Sequence, residues 1–482
     1  MLFILLLVSF VVRLIGLTQS LWLDEGISVV AVKSYSYLGL ISKFSLSDVH
    51  PPLYYLILKL WTSVFGYSEI SLRFPSVILG VGTVYVLYQI GKKVQGKQLG
   101  LTAAFIYALN PLAIYYSQEA RMHSLAAFLA VFTAFILLSF TKKDNLKNML
   151  LLIFSSVLLL YSEYYGALVW GAFVLFIFLF ERKSKWIKKF IIAEITAAIF
   201  LLPWAGIFLN QFKEGIGMAL SVPAWGSVVG SLSMKNIVLV PVKFIFGRIS
   251  FNNKILYGLA SMSVAVFYFF LILSGLKTKY SIDSNLKKLI LLWFLVPVVS
   301  AFIISFKVPV FSYHRLLVVL PAFILLTALG ITGIKTRKIR YIFLGVIASV
   351  SILSLVIFFS DKSNQREDWR GSVEFLQKAS PYSLILFKSD QVFAPFLYYR
   401  EKYKVTTPLS GVSDKFTVNP VYLHNHLPKL VKDVNNVYLY GYLGDVTDPA
   451  HNTEKELESL GYKEIKTYDF PGVGFVYKYV KL

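Results

Sequence analysis

The chain has no cysteine among its 482 residues. Disulfides, thiolate nucleophiles and thiolate metal sites are therefore excluded. Charge is also scarce, at 15% of residues, and acids are the rarer kind, with 26 Asp and Glu against 48 Lys and Arg. What fills the chain instead is apolar: 56% hydrophobic and 16% aromatic. A soluble protein of this length could not cover that much apolar surface. Long apolar runs recur from Met1 to Phe359, so the sequence reads as a polytopic α-helical membrane protein. The first run contains Arg13 and is not followed by a small-residue cleavage site, which reads as a retained helix and not a signal peptide. The net charge of +22 suggests a nucleic-acid partner only at first sight. Most of the excess lies in short loops between apolar runs, where it orients a membrane protein, so no nucleic acid is expected.

About 11 spans are expected, at 1–17, 74–91, 99–117, 124–140, 149–162, 164–180, 190–209, 255–275, 289–306, 316–333 and 341–359. Alternate loops are basic: Lys92, Lys93 and Lys97; Lys142, Lys143 and Lys147; Arg182, Lys183, Lys185, Lys188 and Lys189; Lys277, Lys279, Lys287 and Lys288; Lys335, Arg337, Lys338 and Arg340. Short basic loops are cytoplasmic, which puts the N-terminus inside. Loops 18–73, 118–123, 210–254 and 307–315, with the tail from Ser360, then face outward. This alternation holds only if 51–66 does not cross. That segment begins at His50-Pro51-Pro52, carries Lys59 and ends at Gly66, and it reads as an interfacial helix. A second interfacial helix is expected at about 26–44. A third is expected at 235–247, in a loop that also carries Pro223, Trp225 and Arg248.

Composition changes after Phe359. The division expected is a membrane domain at 1–359, with its first outer loop at 18–73, and a small extracytoplasmic α/β domain at 360–482. In the latter, 372–379 and 391–400 read as helices, and 383–388, 436–441 and 474–480 as strands.

The candidate chemistry lies on the outward loops. Charged groups at a membrane edge are functional candidates because they are costly there. Asp24 and Glu25 follow the first span as an adjacent acid pair, suited to proton abstraction or to capping a helix. Asp48 and His50 precede Pro51-Pro52, where His50 is either a turn residue or a ligand for an anion or metal. By donor type, Asp24, Glu25, Asp48 and His50 could jointly hold a divalent cation, so a divalent cation is possible and no cofactor is certain. Glu119 and Arg121 either pair or leave Arg121 as a phosphate clamp. Glu163 is a lone acid at another outer turn. His314 and Arg315 end a later loop, where Arg315 snorkels or grips an anion. Trp22, Tyr54, Tyr55, Tyr115 and Tyr116 offer aromatic faces to sugar rings, though such residues are also ordinary at a membrane interface.

The order of several motifs carries a family likeness. Asp24-Glu25 is followed by His50-Pro51-Pro52-Leu53-Tyr54-Tyr55, Phe65-Gly66, Glu69, Arg73-Phe74-Pro75-Ser76 and Tyr116-Ser117-Gln118-Glu119-Ala120-Arg121-Met122, then by His314-Arg315-Leu316-Leu317. Over roughly residues 1–335 this resembles GT-C-type membrane glycosyltransferases of the protein O-mannosyltransferase and lipid A aminoarabinose transferase superfamily. Glu367-Asp368-Trp369-Arg370 looks like the outer domain of bacterial members. The resemblance implies a polyprenyl-phosphate-linked sugar donor and a lipid, glycan or protein acceptor. It also implies inverting transfer on the outer leaflet, with Asp24 as the essential first-loop acid. Glu25 would assist Asp24, and His50, Arg121 and Arg315 would bind the donor phosphate. The competing class is a lipid or sugar transporter, which should show acids deep within spans and internal repeats. Glu194 is the main acid within a span, and no repeat is visible.

Overall fold

The computed structural model describes residues 1–221, 230, 232–251, 253–277, 284–380 and 382–482. Pro223, Trp225 and Lys279 lie outside the described residues. The chain divides into two compact units. The first comprises Met1–Leu17, Tyr35–Leu220 and Gly226–Ser360. The second comprises Thr18–Ser34, Ser221–Trp225 and Asp361–Leu482. Residues 18–34, which precede the rest of the first loop in sequence, thus belong with the tail.

The first unit is a helical membrane body. Among the described residues, eight helices are long and apolar enough to cross a bilayer: Glu69–Gln95, His123–Lys142, Tyr164–Glu181, Ile187–Gly217, Lys254–Lys277, Asn285–Ile304, Arg315–Gly333 and Arg337–Ser360. The pair Lys97–Leu109 and Pro111–Ser117, bent by 63°, makes a ninth if it is counted as one broken span. The runs expected at 1–17 and 149–162 form the shorter helices Leu2–Leu14 and Leu146–Ser162. At ~1.5 Å per residue a 13-residue helix covers only about 20 Å of a hydrocarbon core of about 30 Å. Helix Arg315–Gly333 is 94% buried within the fold, whereas Lys254–Lys277 is only 17% buried and presents Leu259, Met262 and Phe270 outward. Such apolar surface suits lipid and not water.

Two local devices shape the unit where the motifs lie. Gly96, at φ +95°, ends one helix and starts the next, so Glu69–Gln95 folds back along Lys97–Leu109. A Cβ on Gly91 would lie 2.6 Å from the Cα of Gly100, so only hydrogen at Gly91 allows that approach. The 63° bend falls at Asn110-Pro111, because proline has no N–H to continue the helix. The carbonyls freed there need new donors. Arg13, fully buried, supplies them: it donates to Ala108 O at 3.1 Å and Tyr107 O at 3.5 Å, and also to Ser117 Oγ at 3.1 Å. Asn110 caps the second half through Ala113 N at 2.9 Å. This accounts for an arginine inside the first apolar run.

The expected helix at 26–44 is instead broken. Leu23–Ser34 is one helix, and Tyr37–Gly39, Leu40–Phe44 and Ser45–Ser47 form a separate run of short turns. Ser36 takes an extended conformation and accepts from Gly39 N at 3.0 Å, restarting the chain in the way of an N-cap. A helix is present where one was expected at 51–66, as Leu53–Phe65, and at 235–247, as Met234–Phe246.

The second unit is α/β. Strands β1 (Ser383–Phe387), β2 (Leu409–Gly411), β3 (Asn436–Tyr440), β4 (Tyr462–Phe470) and β5 (Gly474–Lys481) form one sheet of order β2-β1-β3-β5-β4. β1 pairs in parallel with β2 and β3, and β5 pairs antiparallel with β3 and β4. β1 is buried along its whole length, as a central strand covered on both faces should be. Leu384, Leu386, Val437 and Leu439 pack with Leu423, Leu427 and Leu457 of the helices Pro420–Leu430 and Asn452–Ser459. β4 carries Lys463, Glu464 and Lys466 on an exposed edge, which hides its strand pattern from sequence.

Candidate functional site

Within the membrane unit, the motif Tyr116–His123 is buried throughout. Part of it is structural. Gln118 Nε2 donates to Ile15 O at 2.5 Å and Arg13 O at 3.3 Å, and Arg73 Nη1 donates to Leu17 O at 2.7 Å. These side chains cap the end of the first helix, whose last carbonyls have no partners of their own. Ser76 Oγ holds the Glu119 carbonyl at 2.6 Å.

The rest converges. Tyr55 OH donates to Asp48 Oδ2 at 2.9 Å and accepts from Arg121 Nη1 at 2.9 Å. His50 Nδ1 meets Asp48 Oδ1 at 3.2 Å, and Arg121 Nη2 approaches both His50 ring nitrogens at 3.3 and 3.5 Å. Asp48, His50, Tyr55 and Arg121 are thus one network, placed by the start of helix Leu53–Phe65 and by the turn after Pro111–Ser117. Burial by itself would raise the Asp48 pKa. The charges of His50 and Arg121, with hydrogen bonds from His50 and Tyr55, more than offset it and hold the carboxyl below its usual range. Tyr54 is buried beside the network, its ring edge-on to Tyr55 at 6.0 Å. Gln211 anchors the segment from the other side, donating to Ser45 O at 2.6 Å and His50 O at 3.4 Å.

A second group adjoins. His123 lies between two acids, its Nε2 3.9 Å from Glu119 Oε1 and its Nδ1 3.8 Å from Glu163 Oε2. Its ring is edge-on to Tyr116 at 4.9 Å and to His314 at 5.9 Å. Desolvation pushes His314 well below the usual imidazole pKa, and the nearby charges of Arg315, His123, Arg248 and His50 push it further down. Arg315 Nη1 donates to Pro309 O at 3.1 Å. Arg248 donates to Tyr115 OH at 2.7 Å and lies over that ring at 4.9 Å. Burial would lower the Arg248 pKa, but Tyr115, Tyr313, Tyr116 and Glu119 together reverse that and keep it charged.

The structure therefore brings together Asp48, His50, Tyr54, Glu119, Arg121, Glu163, His314 and Arg315, from four separate segments. Arg248 and Gln211 are additions that sequence reasoning did not select. The available signal for Arg248 was a lone arginine just past the helix-ending Gly247, in an otherwise apolar loop. Glu194 is satisfied structurally by Trp170 Nε1 at 2.6 Å and Ser156 Oγ at 3.4 Å.

Asp24 and Glu25 lie in the other unit, in the first turn of Leu23–Ser34. Asp24 is half-buried. Glu25 is fully buried, accepts from Trp22 N at 3.4 Å and faces Arg366 at 3.8 Å. Among the described residues no three His, Asp or Glu side chains form a metal-holding group. Of the suggested set, Asp24 and Glu25 belong to the second unit and Asp48 and His50 to the first.

Residues 49–207 match the family model described as dolichyl-phosphate-mannose-protein mannosyltransferase. An uncharacterized transporter of Archaeoglobus fulgidus is 32% identical over 33% of this chain and 55% of its own length. The putative mannosyltransferase YycA of Bacillus subtilis is 28% identical over 32% of this chain and 23% of its own length. The chain thus spans about half of one relative and under a quarter of the other. The crystal structure of ArnT from Cupriavidus metallidurans bound to undecaprenyl phosphate superimposes over 99% of this chain and 97% of its own, with a TM-score of 0.61 at 11% identity. The chain is a multi-pass membrane protein with the GT-C glycosyltransferase fold, resembling the protein O-mannosyltransferase and lipid A aminoarabinose transferase superfamily.

Proposed function

We propose that the protein transfers a sugar from a polyprenyl-phosphate donor to an acceptor hydroxyl on the outer face of the membrane, with inversion at the anomeric carbon. The observation that carries this reading is the gathering of the cations Arg121, Arg248 and Arg315, with the imidazoles of His50, His123 and His314, inside an apolar membrane unit. Cations clustered among apolar spans call for an anion, and a lipid phosphate is the anion that a membrane delivers. The fold's likeness to a protein bound to undecaprenyl phosphate supports the same class of ligand.

In this reading Arg248 and Arg315 meet the donor phosphate, together with His50, which is backed by Arg121. The acceptor oxygen attacks the anomeric carbon from the face opposite the phosphate. The bond from that carbon to the phosphate oxygen breaks, and the lipid phosphate leaves with the electron pair. The cations stabilise its developing charge, so no general acid is needed. The acceptor proton goes to Asp24, the acid at the position that the family resemblance singles out. A second carboxylate is not required for this transfer, and Glu25, turned to Arg366, holds the Asp24 helix. The basic loops support a cytoplasmic N-terminus and a tail outside. Hexose and pentose donors both fit this chemistry.

The purified protein in detergent should consume one of a panel of radiolabelled polyprenyl-phosphate sugars and release lipid phosphate. Asp24→Asn should lower that turnover by about 10²–10⁴-fold and leave donor binding in place. Movement of lipid between leaflets, with no sugar released from any donor, would replace this reading with a flippase.

A further inference from the structure

We infer that the C-terminal domain is a positioning device for Asp24. The inference rests on the reading of Asp24 as the base. The helix Leu23–Ser34 belongs to the second unit together with the tail. Its 12 residues are too few to hold a helix alone in water. Yet Glu25, Gly26, Ser28, Val29, Ala31 and Val32 are buried, so other elements enclose it.

Those elements come from the tail. Leu21 N donates to Tyr399 OH at 2.9 Å, and Leu23 N donates to Glu367 Oε2 at 3.2 Å, across 378 and 344 residues of sequence. Arg370 fixes the approach to the helix, with its Nη2 2.5 Å from Thr18 O and its backbone N 3.0 Å from Ser20 Oγ. On the far side of Asp24, Glu25 faces Arg366 at 3.8 Å. Gly26 is pressed so closely on Pro395 that a Cβ would collide with the proline's backbone nitrogen. At the helix end, Lys33 pairs with Glu401 at 2.6 Å. The residues flanking Asp24 on both sides are therefore held by the tail, while Asp24 itself stays half-exposed.

Glu367 is the pivot. Its Oε2 accepts Trp369 Nε1 at 2.7 Å as well as Leu23 N, and its Oε1 accepts Tyr442 OH at 2.9 Å. One carboxylate thus ties the backbone next to Asp24 to the tail's core, where Trp369 is fully buried against Tyr440. A general base misplaced by about 1 Å can lose about 10²-fold in rate. A domain that sets the base's backbone therefore acts on turnover without touching substrate. Glu367, Arg366 and Tyr399 are positioning residues in this sense.

The test uses the full-length protein with Glu367→Ala and Glu367→Gln, each also made in the Asp24→Asn background. Amide hydrogen exchange over residues 18–34 reads the positioning directly. Glu367→Ala should speed exchange there and leave the helix His123–Lys142 unchanged. It should lower kcat by about 10–100-fold, with donor KM within about twofold. Glu367→Gln keeps an acceptor for Leu23 N and should recover most of that loss. In the Asp24→Asn background, Glu367→Ala should cost nothing further, because the group it positions is already disabled. Unchanged exchange at 18–34 would overturn the positioning, and so would an equal loss in both backgrounds. Wild-type turnover in Asp24→Asn would overturn the base assignment instead, leaving the exchange result to report on whether the tail holds the loop.

Discussion

Tyr55→Phe is the most discriminating change in the membrane unit. It removes one oxygen and keeps the ring, which packs edge-on against Phe44 at 4.9 Å. That oxygen bridges Asp48 and Arg121, with both hydrogen bonds at 2.9 Å. A hydrogen bond to a charged group contributes about 1.5–3 kcal/mol. The two do not simply add, because Arg121 keeps its contacts with His50 at 3.3 and 3.5 Å. The expected net loss is one such bond. At about 1.4 kcal/mol per tenfold, that is roughly 10–150-fold. If the network serves to hold His50 and Arg121 for the donor phosphate, the loss appears in donor Kd and KM, and kcat at saturating donor changes little. Acid sensitivity gives a second readout. Asp48 has a depressed pKa in the fold, so its stabilising contribution is present above the unfolded carboxyl pKa and is lost as pH falls through the folded value. Without the Tyr55 hydroxyl the folded pKa rises, so the contribution should be smaller and its loss complete at a higher pH. Donor titrations and thermal melts down the acid range measure both. Donor affinity within about twofold of wild type, with an unmoved acid limb, would refute the reasoning.

Arg248→Ala and Arg315→Ala should each weaken donor binding by about 1–3 kcal/mol, with Lys only partly restoring it, because an ammonium lacks the planar fork that grips phosphate; direct binding of the lipid phosphate measures this. His314 is held neutral by burial and surrounding cations, so a bound phosphate should raise its pKa and draw in a proton. Donor affinity should then strengthen as pH falls through the bound-state pKa and level off below the free-state one, and His314→Gln should flatten the trend. A reporter active only in the cytoplasm, fused after Leu482, should be silent, and one fused to the loop at Lys142–Lys147 should be active.

Much of this protein was legible in its sequence, because membrane insertion is a composition-level constraint. A bilayer core requires long apolar helices, and runs such as 124–140 and 316–333 announce themselves without any knowledge of their neighbours. The residues Asp48, His50, Glu119, Arg121, Glu163, His314 and Arg315 were legible for the complementary reason: a polar group beside a span is expensive and therefore stands out. What sequence could not decide was which of these groups face one another. Arg13 and Arg121 look alike as isolated arginines. Only the bend at Asn110-Pro111 shows that one of them serves freed backbone carbonyls, while the other sits against His50 and Tyr55. Arg248 needed the fold to bring it over Tyr115. The strand β4 was hidden because an exposed edge carries charges where a central strand carries aliphatic side chains. From sequence, Asp24 reads as the base and Glu25 as its helper, with nothing to show which of them is buried. Successive residues on a helix point about 100° apart, so the tertiary structure alone could turn Glu25 inward to Arg366 and leave Asp24 half-exposed.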